Sequence, residues 1–153
     1  MNAHHTSGNL ASLQKSSKVY TISETKNPYN DDYQSGSRTI NWDPNQALET
    51  TNGHSLSPAT ILGHEADHAN QDDKHHDQFV KDANTPDAQY TDKEEKRVIT
   101  GSEQTTAKAH GDIGTGEVTR TDHKGTFDLI PVSNPGSNGE VKIIAHKKKN
   151  DKN

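Results

Sequence analysis

The stretch Ser57-Pro58-Ala59-Thr60-Ile61-Leu62-Gly63-His64-Glu65-Ala66-Asp67-His68-Ala69-Asn70 constrains the fold of this chain more than any other. Its first two residues start a helix. The Ser57 hydroxyl can cap free N–H groups, and Pro58 suits the first helical position, where its missing N–H has no intrahelical partner to lose. Four residues apart on such a helix, His64 and His68 project from one face within reach of a single cation. Glu65 stands beside them, so the pattern His-Glu-x-x-His is complete. A zinc ion held by the two imidazoles lowers the pKa of its bound water and polarises a peptide carbonyl, while the neighbouring carboxylate takes the proton as the water attacks. Ten histidines in 153 residues make isolated pairs uninformative. Around this pair, however, Ile61, Leu62, Ala66 and Ala69 supply the apolar surface of a helix that crosses a core with its polar face turned into a cleft. The competing reading is an exposed helix with solvated histidines.

A catalytic zinc takes a third protein ligand and keeps a fourth position open. The chain has no cysteine, so histidines and carboxylates must supply the ligands. A second helix is predicted from Asp92 to Ala109, capped by Thr91 or Asp92, with Glu94 and Glu95 in its positive first turn. Glu95 is the first choice for the third ligand. Glu94 points about 100° away around the helix, so only one of the two faces the ion comfortably. Glu103 lies close to two turns beyond Glu95 on the same face, so one of these can bind zinc while the other orients a histidine from behind. Spacing alone leaves Glu95, Glu103 and Glu94 open. The adjacent pairs His4, His5 and His75, His76 match no ligand spacing and read as solvated side chains. His110, Arg120, His123 and Tyr90 are candidates for holding the oxyanion formed on hydrolysis.

Apolar residues make up only 25% of the chain and mean hydropathy is -1.15, which implies a small core and a share of loop or tail. The length suits one domain, expected over residues 17–146, with a loose Ser-rich leader at 1–16 and a disordered lysine-rich tail at 147–153. Strands are predicted at Lys18–Ile22 and Arg38–Trp42, and a later pair at Thr126–Val132 and Glu140–Ala145 flanks the turn Asn134–Gly139. Gln46–Leu56 reads as a connector turning at Thr50-Thr51-Asn52-Gly53. Trp42 reads as a core anchor, and Arg38–Trp42 as an edge strand able to pair with an extended substrate. Gly111–Gly116 lacks the lysine of a phosphate loop and reads as a connector. The expected fold is α+β, with the His-Glu-x-x-His helix packed against a second ligand-bearing helix and a small, mostly antiparallel sheet.

A formal charge of -5 with scattered basic residues argues against a nucleic-acid partner. No run approaches the roughly 18 apolar residues of a spanning helix, so stable membrane insertion is not expected. The N-terminus lacks the basic, apolar and small-residue order of a signal peptide, which points to another apparatus or a larger polypeptide as carrier.

Three blocks carry a family resemblance: Ile40-Asn41-Trp42-Asp43-Pro44-Asn45, then Ser57 to Ala69, then Glu94-Glu95-Lys96-Arg97-Val98-Ile99-Thr100-Gly101 with Glu103-Gln104. Over roughly residues 38 to 120 the chain resembles the M91 peptidase family, zinc metalloproteases of the NleD type among bacterial effectors, with similar domains at the ends of Rhs-type and other polymorphic toxins. The resemblance implies a zincin-like fold, His64 and His68 as ligands, Glu65 as base and a downstream glutamate completing the site. It also implies a secreted or delivered toxin or effector that cleaves a protein substrate in a target cell, with a possible cognate immunity protein. Two departures stand out: Ala66 and the charged Asp67 occupy the middle of the motif, and Glu103-Gln104-Thr105-Thr106-Ala107 lacks the arginine of the family's Glu-Asn-x-x-Arg. The alternatives are a catalytically inactive zinc-binding, toxin-associated interaction module and a non-peptidase zinc hydrolase.

Overall fold

The computed structural model describes residues 8–129 and the backbone of Val132–Ser133 and Val141–Lys142. It is α+β. Five α-helices occur among the described residues: α1 (Gly8–Gln14), α2 (Pro58–Lys74), α3 (His76–Ala83), α4 (Lys93–Thr100) and α5 (Ser102–His110). Strands β1 (Thr21–Glu24), β2 (Asp32–Gln34) and β3 (Thr39–Trp42) form one sheet in the order β1-β3-β2, with β1 parallel and β2 antiparallel to β3. Strands β4 (Gln46–Thr50), β5 (Ser55–Leu56) and β8 (Gly125–Leu129) form an antiparallel sheet in the order β5-β4-β8. Two short ladders, β6 (Pro86–Asp87) with β7 (Thr91–Asp92) and β9 (Val132–Ser133) with β10 (Val141–Lys142), are also antiparallel.

Helix α2 starts where its sequence requires. The Ser57 hydroxyl accepts from Thr60 N at 3.3 Å, and Pro58 occupies the first turn. An N-cap of this kind contributes about 1 kcal/mol. Asp112 adds a negative charge at the helix N-terminus, accepting from Ser57 N at 2.8 Å and from the Thr60 hydroxyl at 2.5 Å. From Thr60 to Asn70 every residue of α2 is buried, so the helix is enclosed by other elements. One side packs Leu62, Ala66 and Ala69 against Leu13 of α1 and Ile40 of β3. The other packs Ile61 against Leu48, Leu56, Ala107 and Ile113. Trp42 borders both clusters and donates its indole N–H to Pro58 O at 2.8 Å, which fits the anchor role read from sequence. Burying a side chain as fully as Ile40 stabilises by about 1.5–3 kcal/mol.

Several expectations are corrected. Within the segment read as a leader, Gly8–Gln14 is helical and its Leu13 is buried; Asn70 donates to Asn9 O at 2.7 Å, which fastens α1 to α2. Residues 1–7, with His4 and His5, lie outside the described residues, as do the turn Asn134–Gly139 and the tail 147–153. The first strand begins at Thr21, because the residues before it reach α2 instead: Lys18 pairs with Asp73 at 3.3 Å and the Tyr20 hydroxyl donates to the same carboxylate at 3.0 Å. Strand β3 is the centre of its sheet, flanked by β1 and β2, so it offers no edge to a substrate. Gln46–Leu56 is a hairpin rather than a connector, with β4 held by β8 from Gln46↔Leu129 to Thr50↔Gly125. Helix α3 was not anticipated. The helix expected over 92–109 is two helices broken at Gly101, where an added Cβ would stand 2.7 Å from Arg97 O. None of the described helices is long and apolar enough to cross a membrane.

Candidate metal centre

Helices α2, α4 and α5 each bring part of one buried cluster. His64 and His68, one turn apart on α2, have their rings tilted at 79° with centroids 4.8 Å apart. Their Nε2 atoms approach to 3.1 Å. In front of both lies Glu95 of α4, with one carboxylate oxygen 3.1 Å from His64 Nε2 and the other 3.3 Å from His68 Nε2. Among the described residues, His64, His68 and Glu95 form the one group whose ligand atoms all lie within 4.8 Å of one another.

What stands behind the rings decides which nitrogens face forward. Glu103 of α5 lies 2.7 Å from His64 Nδ1, and Glu94 of α4 lies 3.1 Å from His68 Nδ1. A carboxylate at Nδ1 fixes the tautomer with the proton on that nitrogen, leaving the Nε2 lone pair free. Two such lone pairs and a carboxylate converging at 3.1–3.3 Å repel one another unless a cation lies among them. Zinc–nitrogen bonds of about 2.0–2.1 Å around a tetrahedron place neighbouring ligand atoms about 3.3 Å apart, so the donor set fits such an ion.

Both carboxylates behind the rings are themselves held by arginines. Arg97 donates from Nε and Nη2 to Glu94 at 2.9 and 2.7 Å, and from Nη1 to Asp67 at 3.0 Å. Asp67 also accepts from the Ser102 hydroxyl at the start of α5. The charged residue inside the motif therefore ties α2 to both α4 and α5, while Ala66 is fully buried against the first core cluster. The Glu103–Ala107 segment lacks an arginine, yet a guanidinium reaches Glu103 from Arg120, through Nε at 3.1 Å and Nη2 at 2.7 Å. The Thr119 hydroxyl donates to the same carboxylate at 2.6 Å.

Charge follows this geometry. Burial would lower the pKa of His64, but Glu95 and Glu103 raise it to about 9. His68 is likewise raised well above the ordinary imidazole value, by Glu94 and Glu95 against burial. Burial would raise Glu95, but the His64 and His68 rings hold it well below the usual carboxylate range. Glu103, for all its burial, is held at about 2 by His64 and Arg120. The field that favours protons on these rings also favours a cation among them. Glu65 differs. Burial raises its pKa despite both histidines, and among the described residues its carboxylate takes no hydrogen bond.

The expected third-ligand candidates thus separate. Glu95 joins the histidines, whereas Glu103 and Glu94 stand behind them. Of the four oxyanion candidates, Arg120 is engaged with Glu103, and His110 lies at the α2 N-terminus, 3.0 Å from the Thr60 hydroxyl. Tyr90 is buried beyond the two clefts that border the site. His123 remains beside Glu95, with Nε2 at 3.4 Å, and lines both clefts. Its Nδ1 lies 2.8 Å from the hydroxyl of Thr91, a β-branched residue held at φ 76 just before α4. That left-handed conformation costs roughly 1–3 kcal/mol and so marks a locally strained entry to the helix that bears Glu95. His76 pairs with Asp72 at 2.6 Å, away from the cluster. Asp31 and Asp32, to which no motif or spacing points, both line a cleft at the site.

Glu103→Gln tests the arrangement behind His64. The amide keeps the shape but loses the charge shared with His64 and Arg120, so metal affinity is expected to fall by about 10–100-fold. Titration against a competing chelator measures it; wild-type affinity would show that Glu103 does not govern the ring.

A family model, Peptidase_M91, described as effector protein, matches residues 2–124. No curated protein and no solved structure matches the chain.

Proposed function

The chain belongs to the Peptidase_M91 family of effector proteins, and from that premise we propose that it is a zinc-dependent metalloendopeptidase that cuts a protein of the cell into which it is delivered. The observation that carries this reading is the convergence of His64, His68 and Glu95 on one point beside a buried carboxylate, Glu65, that makes no competing hydrogen bond. His64, His68 and Glu95 would hold the ion. A bound zinc supplies Lewis-acid polarisation of the scissile carbonyl and makes water at the site more acidic.

The rest is done by the chain itself. Glu65 takes a proton from the attacking water and returns it to the departing amine. Burial raises the pKa of that carboxylate, which favours its holding the transferred proton. Glu94 and Glu103 keep both Nε2 atoms facing forward, and Arg97 and Arg120 keep those glutamates ionised. Helix α2 packed against α4, with ligands from both, supports a zincin-like classification.

Cleavage of an unfolded protein mixture tests the reading. Zinc-loaded protein is expected to produce new termini, to stop when a chelator strips the ion, and to resume when zinc is restored. Cleavage insensitive to chelation excludes the metallopeptidase; zinc binding at one equivalent without cleavage leaves the inactive module or a non-peptidase zinc hydrolase.

A further inference from the structure

Two clefts border Glu65. One, about 300 Å³, contains Asp31, Asp32 and Asp92 together with Tyr33 and Phe79. The other, about 250 Å³, contains Leu48, Ile61, Phe127 and Tyr29. They share Asp31, Glu65 and His123, so they meet at the cluster described above.

Resting on the peptidase reading, we propose that the clefts are the two halves of a substrate groove that accepts an arginine or lysine side chain on one side of the scissile bond and a large apolar or aromatic side chain on the other. In the first half, Asp31, Asp32 and Asp92 have no cationic partner among the described residues. Their hydrogen bonds are to neutral groups: Asp31 accepts from Asp43 N at 2.8 Å, Asp32 from Asn41 Nδ2 at 2.6 Å and Asp92 from Glu95 N at 2.9 Å. Three carboxylates facing one cleft repel each other and Glu65. Burial, with Glu65, Asp43 and Asp32 nearby, pushes Asp31 up to about 7. A cation entering the cleft relieves this repulsion. These aspartates do not converge as metal ligands do, since the described residues contain one such group and it is His64, His68 and Glu95. A long side chain with a charged tip meets the need, because Tyr33 and Phe79, 6.1 Å apart edge to face, offer apolar surface to its stem.

The second half adds aromatic and aliphatic surface beside Asp31, Glu65 and Arg120. Tyr29 and Phe127 meet edge to face at 5.1 Å, above Leu48 and Ile61 of the second core cluster. Gly125 keeps that floor close, because a Cβ there would lie 2.6 Å from Leu48 Cδ1 and 2.7 Å from Glu49 O. Glu65 lies where the halves meet. It is 8% exposed, has no hydrogen-bond partner among the described residues, and lines both clefts.

The test compares zinc-loaded wild-type protein with Asp32→Lys and Phe127→Ala on peptide sets that carry Arg, Ala or Glu on one side of a cleavable bond and Phe or Ser on the other. Wild type is expected to cut Arg/Phe peptides at least about 10-fold better than Glu/Ser peptides. Asp32→Lys should reverse the Arg-to-Glu preference, and Phe127→Ala should reduce the Phe-to-Ser ratio; ratios cancel any general loss of folded protein. Preferences unchanged in both variants overturn the groove. If wild type cuts no peptide, the peptidase reading fails, and the groove is judged by fluorescence anisotropy of labelled Arg/Phe and Glu/Ser peptides on Glu65→Gln protein. Tighter binding of Arg/Phe then supports the groove, and equal binding overturns it.

Discussion

Glu65→Gln is expected to lower peptide cleavage by about 10²–10⁴-fold, the range that a positioned general acid–base contributes, while zinc content stays near one equivalent. The two effects separate because different residues govern them. The imidazoles are oriented from behind, His64 by Glu103 at 2.7 Å and His68 by Glu94 at 3.1 Å, and neither contact involves Glu65. Glutamine keeps the volume of the buried side chain but has no site for the transferred proton. Nor should the fold suffer. Burial raises the pKa of Glu65 and so disfavours its charged form, and glutamine carries no charge to repel Asp31. Steady-state kcat/KM on a cut peptide, with metal analysis and a thermal melt of the same sample, reads all three quantities. Full activity in the variant removes Glu65 from the proton-transfer step.

His64→Ala and His68→Ala are expected to abolish both zinc retention and cleavage, with a loss of affinity beyond the roughly 10–100-fold set by residues behind the ligands. Truncating a buried ligand usually leaves its carboxylate partner as an uncompensated charge, which destabilises strongly. Here each partner keeps an arginine. Glu103 retains Arg120 at 2.7 Å and Thr119 at 2.6 Å, and Glu94 retains Arg97 at 2.7 Å. The variants should therefore fold, and circular dichroism should show helix content close to wild type alongside lost metal. A folded variant that still binds one zinc with unchanged affinity would place the ion elsewhere.

Part of this arrangement could be read from the chain because it is local. The Ser57 cap, Pro58 and the four-residue spacing of His64 and His68 depend only on the helix they share, and the structure reproduces that helix from Pro58. The edge strand was misread for the opposite reason. Alternation in Thr39–Trp42 marks Ile40 as inward-facing, and it is fully buried, but alternation cannot say how many neighbours a strand has. The hairpin β4–β5 was missed because its main partner, β8, lies far along the sequence and the strand itself is rich in polar residues. Helix α3 was missed because His75-His76-Asp77 carries charge without an apolar repeat long enough to announce a helix.

By itself, then, the sequence determined which helix bears the histidines, that Glu65 stands next to them, and which three glutamates were candidates to join them. Only the tertiary structure chose among these, placing Glu95 before the rings and setting Glu94 and Glu103 behind them against Arg97 and Arg120. Helical periodicity fixes the angle between side chains on one helix, but the face that α4 and α5 turn toward α2 depends on the break at Gly101, the Asp67–Arg97 pair and the path of the chain to Arg120. Those are contacts between residues distant in sequence, and spacing carries no information about them.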